Sequence, residues 1–265
     1  MGMGMRVSLR LAVWVASLLP APALAGAWTL PQGTGQVIVS GFWAEAMEAF
    51  DGGGQVEAIP LFQKAEIHLY AEYGLTDGVT AILRTEAKTY ASGEAPSLDA
   101  ARFGLSGGGA RLLLWEGDGA VLSAEITGRV ATPFDRRARS EERGGEVEAL
   151  LFAGKGFGVG RWSGFAEIQG GYRLGLDGRS DAFRADLTLG IRPRAQWLLL
   201  AQSFNTLAVD HPDAGFAEPT EHKLQLSAVY DVNRHLSLQV GGLATLAGRD
   251  ALQERALVTA VWLRF

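Results

Sequence analysis

The sequence predicts an all-β protein, a closed antiparallel transmembrane β-barrel of about twelve strands. Three observations carry that prediction. Segments of roughly ten residues alternate apolar and polar side chains, the connections between them alternate short and long, and no stretch beyond residue 25 supplies the roughly 18 consecutive apolar residues of a spanning helix. The composition agrees, with 35 Gly among 265 residues, no Cys and a mean hydropathy of only +0.09. An exported domain without disulfides needs another source of stability, and closing a sheet pairs every backbone donor and acceptor and leaves no edge. A soluble exported β-sandwich fits the composition, but it has no reason to keep a two-beat rhythm of connections.

The first residues carry Arg6 and Arg10, an apolar run from Leu11 to Leu19, then Pro20, Pro22 and Ala23-Leu24-Ala25 before Gly26. This is the charged, apolar and small-residue order of a secretory signal peptide. An uncleaved anchor is the rival, but the run falls short of the roughly 20 residues a spanning helix needs and prolines interrupt its end. Residues 1–25 are therefore expected to be removed. Residues 26–265, beginning Gly26-Ala27-Trp28-Thr29, form the single barrel domain.

The expected strands, in order, are 35–46, 62–74, 79–90, 101–115, 120–131, 146–157, 164–175, 182–192, 195–206, 221–231, 235–246 and 254–265. Successive strand side chains point to opposite faces. In the second, Ala65, Ile67, Leu69, Ala71 and Tyr73 share one face and Lys64, Glu66, His68, Tyr70 and Glu72 the other. The third separates Val79, Ala81, Leu83 and Ala87 from Thr80, Arg84, Glu86 and Lys88, after an Asp77-Gly78 pair expected to supply the positive-φ geometry of a tight hairpin. The fourth changes parity between Phe103 and Leu105 on one hand and Leu112 and Leu114 on the other, so a bulge is expected near Gly107-Gly108-Gly109. The fifth sets Leu122, Ala124, Ile126 and Val130 against Ser123, Glu125, Thr127 and Arg129, and the seventh sets Ala166, Ile168, Tyr172 and Leu174 against Phe165, Glu167, Gln169 and Arg173. The eighth and tenth do the same, with Leu187 and Leu226 on the apolar face and Arg184, Asp186, Lys223 and Gln225 on the polar one.

Short links follow the second, fourth, sixth, eighth and tenth strands, and long ones include Met47 to Leu61, Thr132 to Gly145 and Leu207 to Thr220. Short periplasmic turns and long outer loops are the pattern of barrels in the outer membrane of a Gram-negative bacterium. The last strand alternates Leu257, Thr259, Val261, Leu263 and Phe265 with Val258, Ala260, Trp262 and Arg264, and the sequence stops at Phe265. This resembles the terminal signature of outer-membrane barrels, which implies that the barrel-assembly machinery reads Phe265. The Tyr73-Gly74-Leu75-Thr76-Asp77-Gly78 hairpin and the leading Gly26-Ala27-Trp28-Thr29 are also similar to those of XagA-like barrels linked to exopolysaccharide production.

On this reading the polar parity lines the lumen with Lys64, Glu66, His68, Glu72, Arg84, Glu86, Lys88, Glu125, Arg129, Glu167, Arg173, Arg184, Asp186 and Lys223. Twelve strands enclose a narrow cylinder, and long charged side chains either line a channel or fill it. The net charge of −5 argues against a nucleic-acid partner. Outer-membrane lipid and lipopolysaccharide are the expected surroundings. The 134–143 loop offers Arg136, Arg137 and Arg139 to lipopolysaccharide phosphates, or is a solvated charged loop. Trp28, Trp43, Trp115, Trp162, Trp197, Tyr73 and Tyr172 are expected as interfacial girdles near strand ends.

Enzyme signatures are weak. Gly104-Leu105-Ser106-Gly107-Gly108 matches a nucleophile elbow in letters but no helix follows it, and Gly154-Lys155-Gly156-Phe157-Gly158 lacks the rest of a P-loop. His68, His211, His222 and His235 have no metal-ligand spacing, and no cofactor is called for. The sequence thus points to a non-enzymatic barrel passing or binding a polar solute, such as a saccharide or exopolysaccharide. The alternatives are an outer-membrane lipid hydrolase using Ser203 and His222, and a structural or adhesive barrel with a filled interior.

Overall fold

The computed structural model describes residues 26–93, 95–97, 100–131, 144–209 and 219–265. These residues form β1 (Gly35–Phe50), β2 (Val56–Thr76), β3 (Val79–Ser92), the two-residue β4 (Arg102–Phe103), β5 (Leu105–Gly117), β6 (Ala120–Ala131) and β7 (Gly145–Val159). They continue with β8 (Trp162–Leu176), β9 (Ala182–Arg194), β10 (Trp197–Ala208), β11 (Thr220–Asp231), β12 (Leu236–Arg249), the two-residue β13 (Ala251–Leu252) and β14 (Arg255–Arg264). Every pairing is antiparallel, and β1 pairs with both β2 and β14, so twelve long strands close into a barrel. Closure is sealed where Gly35 and Phe265 exchange backbone N–H···O bonds of 2.7 and 3.0 Å. That end, with the two-residue connections, is the turn end; the opposite end is the loop end. Among the described residues no helix is long and apolar enough to cross a membrane.

Alternation puts a band of apolar side chains outside. Ile67, Leu83, Ile126, Leu151, Ile168, Leu187, Leu226 and Leu257 are all more than half exposed. With their neighbours they form a continuous apolar surface that a soluble monomer would not tolerate and that a bilayer covers. At the turn end Tyr73, Trp115, Trp162 and Trp197 point outward near the hairpins, and Trp197 packs on Tyr230 with ring centroids 5.0 Å apart. Tyr172 meets Phe183 at 5.0 Å near the loop end. Two of the expected girdle residues sit elsewhere: Trp43 lies outward in the middle of β1, and Trp28 is not on the outer surface.

Three local expectations are corrected. The parity change in the fourth expected strand falls at Gly104, between outward Phe103 and buried Leu105, while the register shift inside β5 lies between Leu113 and Trp115. Gly107 and Gly109 instead pair regularly with β3 and β6, and a Cβ on either would stand 1.9 Å from a β6 carbonyl oxygen, so these glycines permit close backbone approach. Positive φ is absent at Asp77-Gly78 and present at Asp118-Gly119 (50° and 70°) and Asp177-Gly178 (55° and 85°). At Asp77 the register shifts between Gly74 and Thr76, and Thr29 Oγ1 and Gln32 N donate to the Asp77 carbonyl and carboxylate at 2.8 and 2.9 Å, which holds another turn. Finally, the Met47–Leu61 link is mostly strand: β1 and β2 continue past a bulge at Ala46/Glu48 to a short turn in which Gly53 N and Gln55 N donate to Asp51 Oδ1.

Candidate functional site

The inner face has two unlike halves. From β2 through β9 it is charged. Arg111, 1% exposed, donates to Glu72 Oε1 at 2.8 Å, Glu125 Oε2 at 2.7 Å and Tyr70 Oη at 3.0 Å, and stacks over Phe152 at 4.9 Å. Tyr70 in turn donates to Glu72 at 2.5 Å. The chain of pairs continues from Glu125 to Arg84 at 2.7 Å, Arg84 to Glu148 at 3.6 Å, Glu148 to Arg184 at 3.2 Å and Arg184 to Asp186 at 2.5 Å. Beside it Arg129 meets Glu146 at 2.5 Å and Glu86 at 3.5 Å, and Arg173 reaches Glu146 at 3.7 Å. Toward the loop end Glu254 joins Lys64 at 2.8 Å and Lys223 at 3.2 Å, Glu66 bonds His68 and Lys64, and Lys88 stands 4.0 Å from Glu86. Cross-strand neighbours on a barrel wall lie within side-chain reach, so alternate charges on adjacent strands pair.

The other half, from β10 through β14 and β1, carries a buried apolar cluster beside neutral Gln36, Gln225 and Ser227, with Lys223 and Glu254 toward the loop end. Leu198, Leu200, Val229, Ala260 and Trp262 are buried with Phe165 in one cluster, and Ile38 packs on it. Sequence reading assigned only the polar parity to the interior and missed this wall. In β14 and over Trp197–Ala201 of β10 both parities are apolar, and that was the available signal.

The lumen between the two walls has an occupant. Residues Gly26 to Leu30 enter from the turn end and lie inside the barrel, with Ala27 and Leu30 almost fully buried. Ala27 N donates to Glu167 Oε2 at 2.6 Å, Ser123 Oγ donates to Ala27 O at 2.7 Å, Arg111 Nη1 donates to Trp28 O at 3.3 Å and Leu30 N donates to Thr80 Oγ1 at 2.8 Å. The Trp28 ring meets Phe165 edge-on at 6.1 Å and touches both apolar clusters, the second built on Val121, Leu150 and Phe152. Gly154 makes room for it: a Cβ there would stand 2.6 Å from the indole. The glycine run on β7 is thus a seat for Trp28 and no phosphate loop. Below this strap the lumen opens at the turn end as a vestibule of about 1050 Å³, floored by Trp28 and Thr29 and rimmed by Arg161, Arg192, Arg264, Asp231 and His235.

The other expected sites divide. Ser106 bonds Thr85 Oγ1 at 2.6 Å on a strand. Ser203 and His222 do not touch each other, because Asn205 stands between, 2.9 Å from His222 Nδ1 and 3.1 Å from Ser203 Oγ. Ser203 therefore has no base in hydrogen-bond contact. No group of metal-ligating side chains occurs among the described residues. The 134–143 loop and His211 lie outside the described residues.

Comparison with known proteins supports the architecture. No family model matches the sequence, and no curated protein matches it. Among solved structures, an outer membrane channel from Pseudomonas putida F1 superposes with a TM-score of 0.67 at 16% identity, over 91% of this chain and 98% of that one. The translocator domain of the autotransporter NalP from Neisseria meningitidis superposes at 0.51 with 16% identity, over 87% and 88%. The chain has the fold of outer-membrane β-barrels. The narrower XagA-like resemblance has no counterpart in these matches.

Proposed function

We propose that the protein is an outer-membrane barrel that passes a small polar solute and that the Gly26–Leu30 strap closes its lumen. The observation that carries the reading is the strap itself: a segment seated between an ion-paired wall and an apolar wall occupies the space a solute would cross. The two walls suit a molecule with polar edges and a less polar face, which is the chemistry of a saccharide. The channel among the solved structures of like fold is consistent with passage. The same reading carries export by removal of residues 1–25, assembly through Phe265 and a lipopolysaccharide-bearing membrane as surroundings. It assigns no catalytic step.

The test is planar-bilayer recording of the refolded chain and of Trp28→Ala. Removing the indole should raise the open conductance severalfold, and a neutral oligosaccharide at millimolar concentration should reduce that current. Silence from both proteins at every voltage would replace the channel with a filled structural barrel.

A further inference from the structure

Around Arg111 the buried charges do not balance. The connected chain holds the carboxylates Glu72, Glu125, Glu148 and Asp186 against the guanidiniums Arg111, Arg84 and Arg184. Glu167 is a further carboxylate on the same wall, 7% exposed, and no Lys or Arg among the described residues lies within ion-pair distance of it. Its hydrogen bond in the structure comes from a backbone amide, Ala27 N at 2.6 Å. An isolated buried carboxylate is costly, and one neutral donor does not compensate it.

Gly26 lies beside this carboxylate. A Cβ built on it would stand 3.1 Å from Glu167 Oε1 and 3.4 Å from Phe152 Cε1, so its backbone is packed against that carboxylate. Gly26 is also the residue that follows the expected cleavage site. Hydrolysis of the Ala25–Gly26 peptide bond by water leaves a carboxylate on the departing leader and an amine on Gly26, and the amine takes up a proton at neutral pH. Its ordinary pKa is about 7.7–8.0. An amide nitrogen at that place offers one neutral donor; an α-ammonium offers three donors and a full charge.

We infer that Glu167 is a binding site for the chain's own N-terminal ammonium, so that processing adds a charged anchor to the strap that closes the lumen. The inference rests on the cleavage expected from the sequence and is independent of what the barrel passes. It also accounts for Gly at position 26, since any side chain would crowd Glu167 and Phe152.

The experiment takes the full mature chain from outer membranes, reads its first residue by N-terminal sequencing, and measures acylation of the α-amine at pH about 8 by mass spectrometry of the N-terminal peptide. In detergent-folded protein the amine should react at least tenfold more slowly than in urea-unfolded protein. Glu167→Gln should restore most of the unfolded rate. An added Ala before Gly26, which shifts the amine by about 3.8 Å and leaves Glu167 intact, should do the same and raise the conductance. A first residue other than Gly26, equal acylation rates in folded and unfolded protein, or full protection retained in both variants would overturn the assignment. The extended variant keeps the test decisive if Glu167→Gln fails to fold. A silent channel with a protected amine would leave the ammonium site standing and remove only the transport reading.

Discussion

Leu187 and Thr188 are neighbours on β9 with opposite surroundings, and the same substitution at each should separate lipid from lumen. Leu187 is 51% exposed, faces outward near the middle of its strand and lies opposite Ile168 and Ser203. An arginine there enters hydrocarbon, at a cost of about 2–4 kcal/mol at the midplane of a barrel. At about 1.4 kcal/mol per decade, that is roughly a thirtyfold to nearly thousandfold loss in the folding equilibrium. Thr188 points inward and lies opposite Glu167 and Gln202. Directly opposed Cβ atoms are about 5 Å apart, so an arginine at 188 reaches the Glu167 carboxylate, and pairing offsets its desolvation to within about 1 kcal/mol. Urea titration of protein refolded into vesicles, read by tryptophan fluorescence, measures both. Equal destabilisation by Leu187→Arg and Thr188→Arg, or a monodisperse folded Leu187→Arg protein in detergent-free buffer, would refute the assignment of the outer face to lipid.

Three other substitutions probe the interior and one loop. Arg111→Met leaves Glu72 and Glu125 without their shared guanidinium and should lower stability in the same titration by about 3–5 kcal/mol, the usual cost of breaking a buried pair from one side. Gly154→Ala places a methyl 2.6 Å from the Trp28 ring, so it should unseat the strap and raise bilayer conductance as Trp28→Ala does, with little loss of β-structure by circular dichroism. Asp181, in the loop between β8 and β9, is held below the 3.8 of a free aspartate by the Tyr172 hydroxyl and then by the Gly175 amide, which donate to it at 2.6 and 2.8 Å. A depressed carboxylate contributes order above its free pKa and loses it as pH falls through the folded value. The Asp181 carboxyl should therefore titrate below 3.8 by carbon NMR, and Tyr172→Phe should move it back up.

The barrel wall was legible because a membrane β-strand writes its two environments directly into residue parity. Ile126 and Leu226 against Glu125 and Gln225 need no tertiary information, and the expected strands 79–90, 120–131 and 221–231 lie within two residues of β3, β6 and β11. The loop-end boundaries failed where parity breaks, at the Ala46/Glu48 bulge and at Gly104, since one extra residue inverts the faces. The lumen's contents were less legible. Arg111 donates five hydrogen bonds inside the lumen, yet its flanks Gly109, Ala110 and Leu112 show no polar alternation, so it escaped the reading. Trp28 looked like an interfacial aromatic because nothing local distinguishes an indole bound for a bilayer from one that inserts into a barrel. The distinguishing information sits far away in sequence, in Gly154, Phe165 and the inward Leu198, Leu200 and Trp262.

The strap's energetics fit a closure that can open. Ordering the five residues Gly26 to Leu30 costs about 1–2 kcal/mol each in backbone entropy, or about 5–10 kcal/mol. Against this stand five hydrogen bonds from or to the strap, at Ala27 N, Ala27 O, Trp28 O, Thr29 Oγ1 and Leu30 N, each contributing about 1 kcal/mol net. Burial of Leu30 and part of the Trp28 ring adds about 4 kcal/mol. Gain and cost come within a few kcal/mol of each other, so the open and closed states lie close in free energy and a single interaction can decide between them. The barrel wall has no such balance, because strands closed on themselves gain every ladder bond together. The position of the strap is therefore the soft degree of freedom in a stiff cylinder, and the groups that bias it, Glu167, Arg111 and the seat at Gly154, are where a change in charge or shape converts most directly into passage.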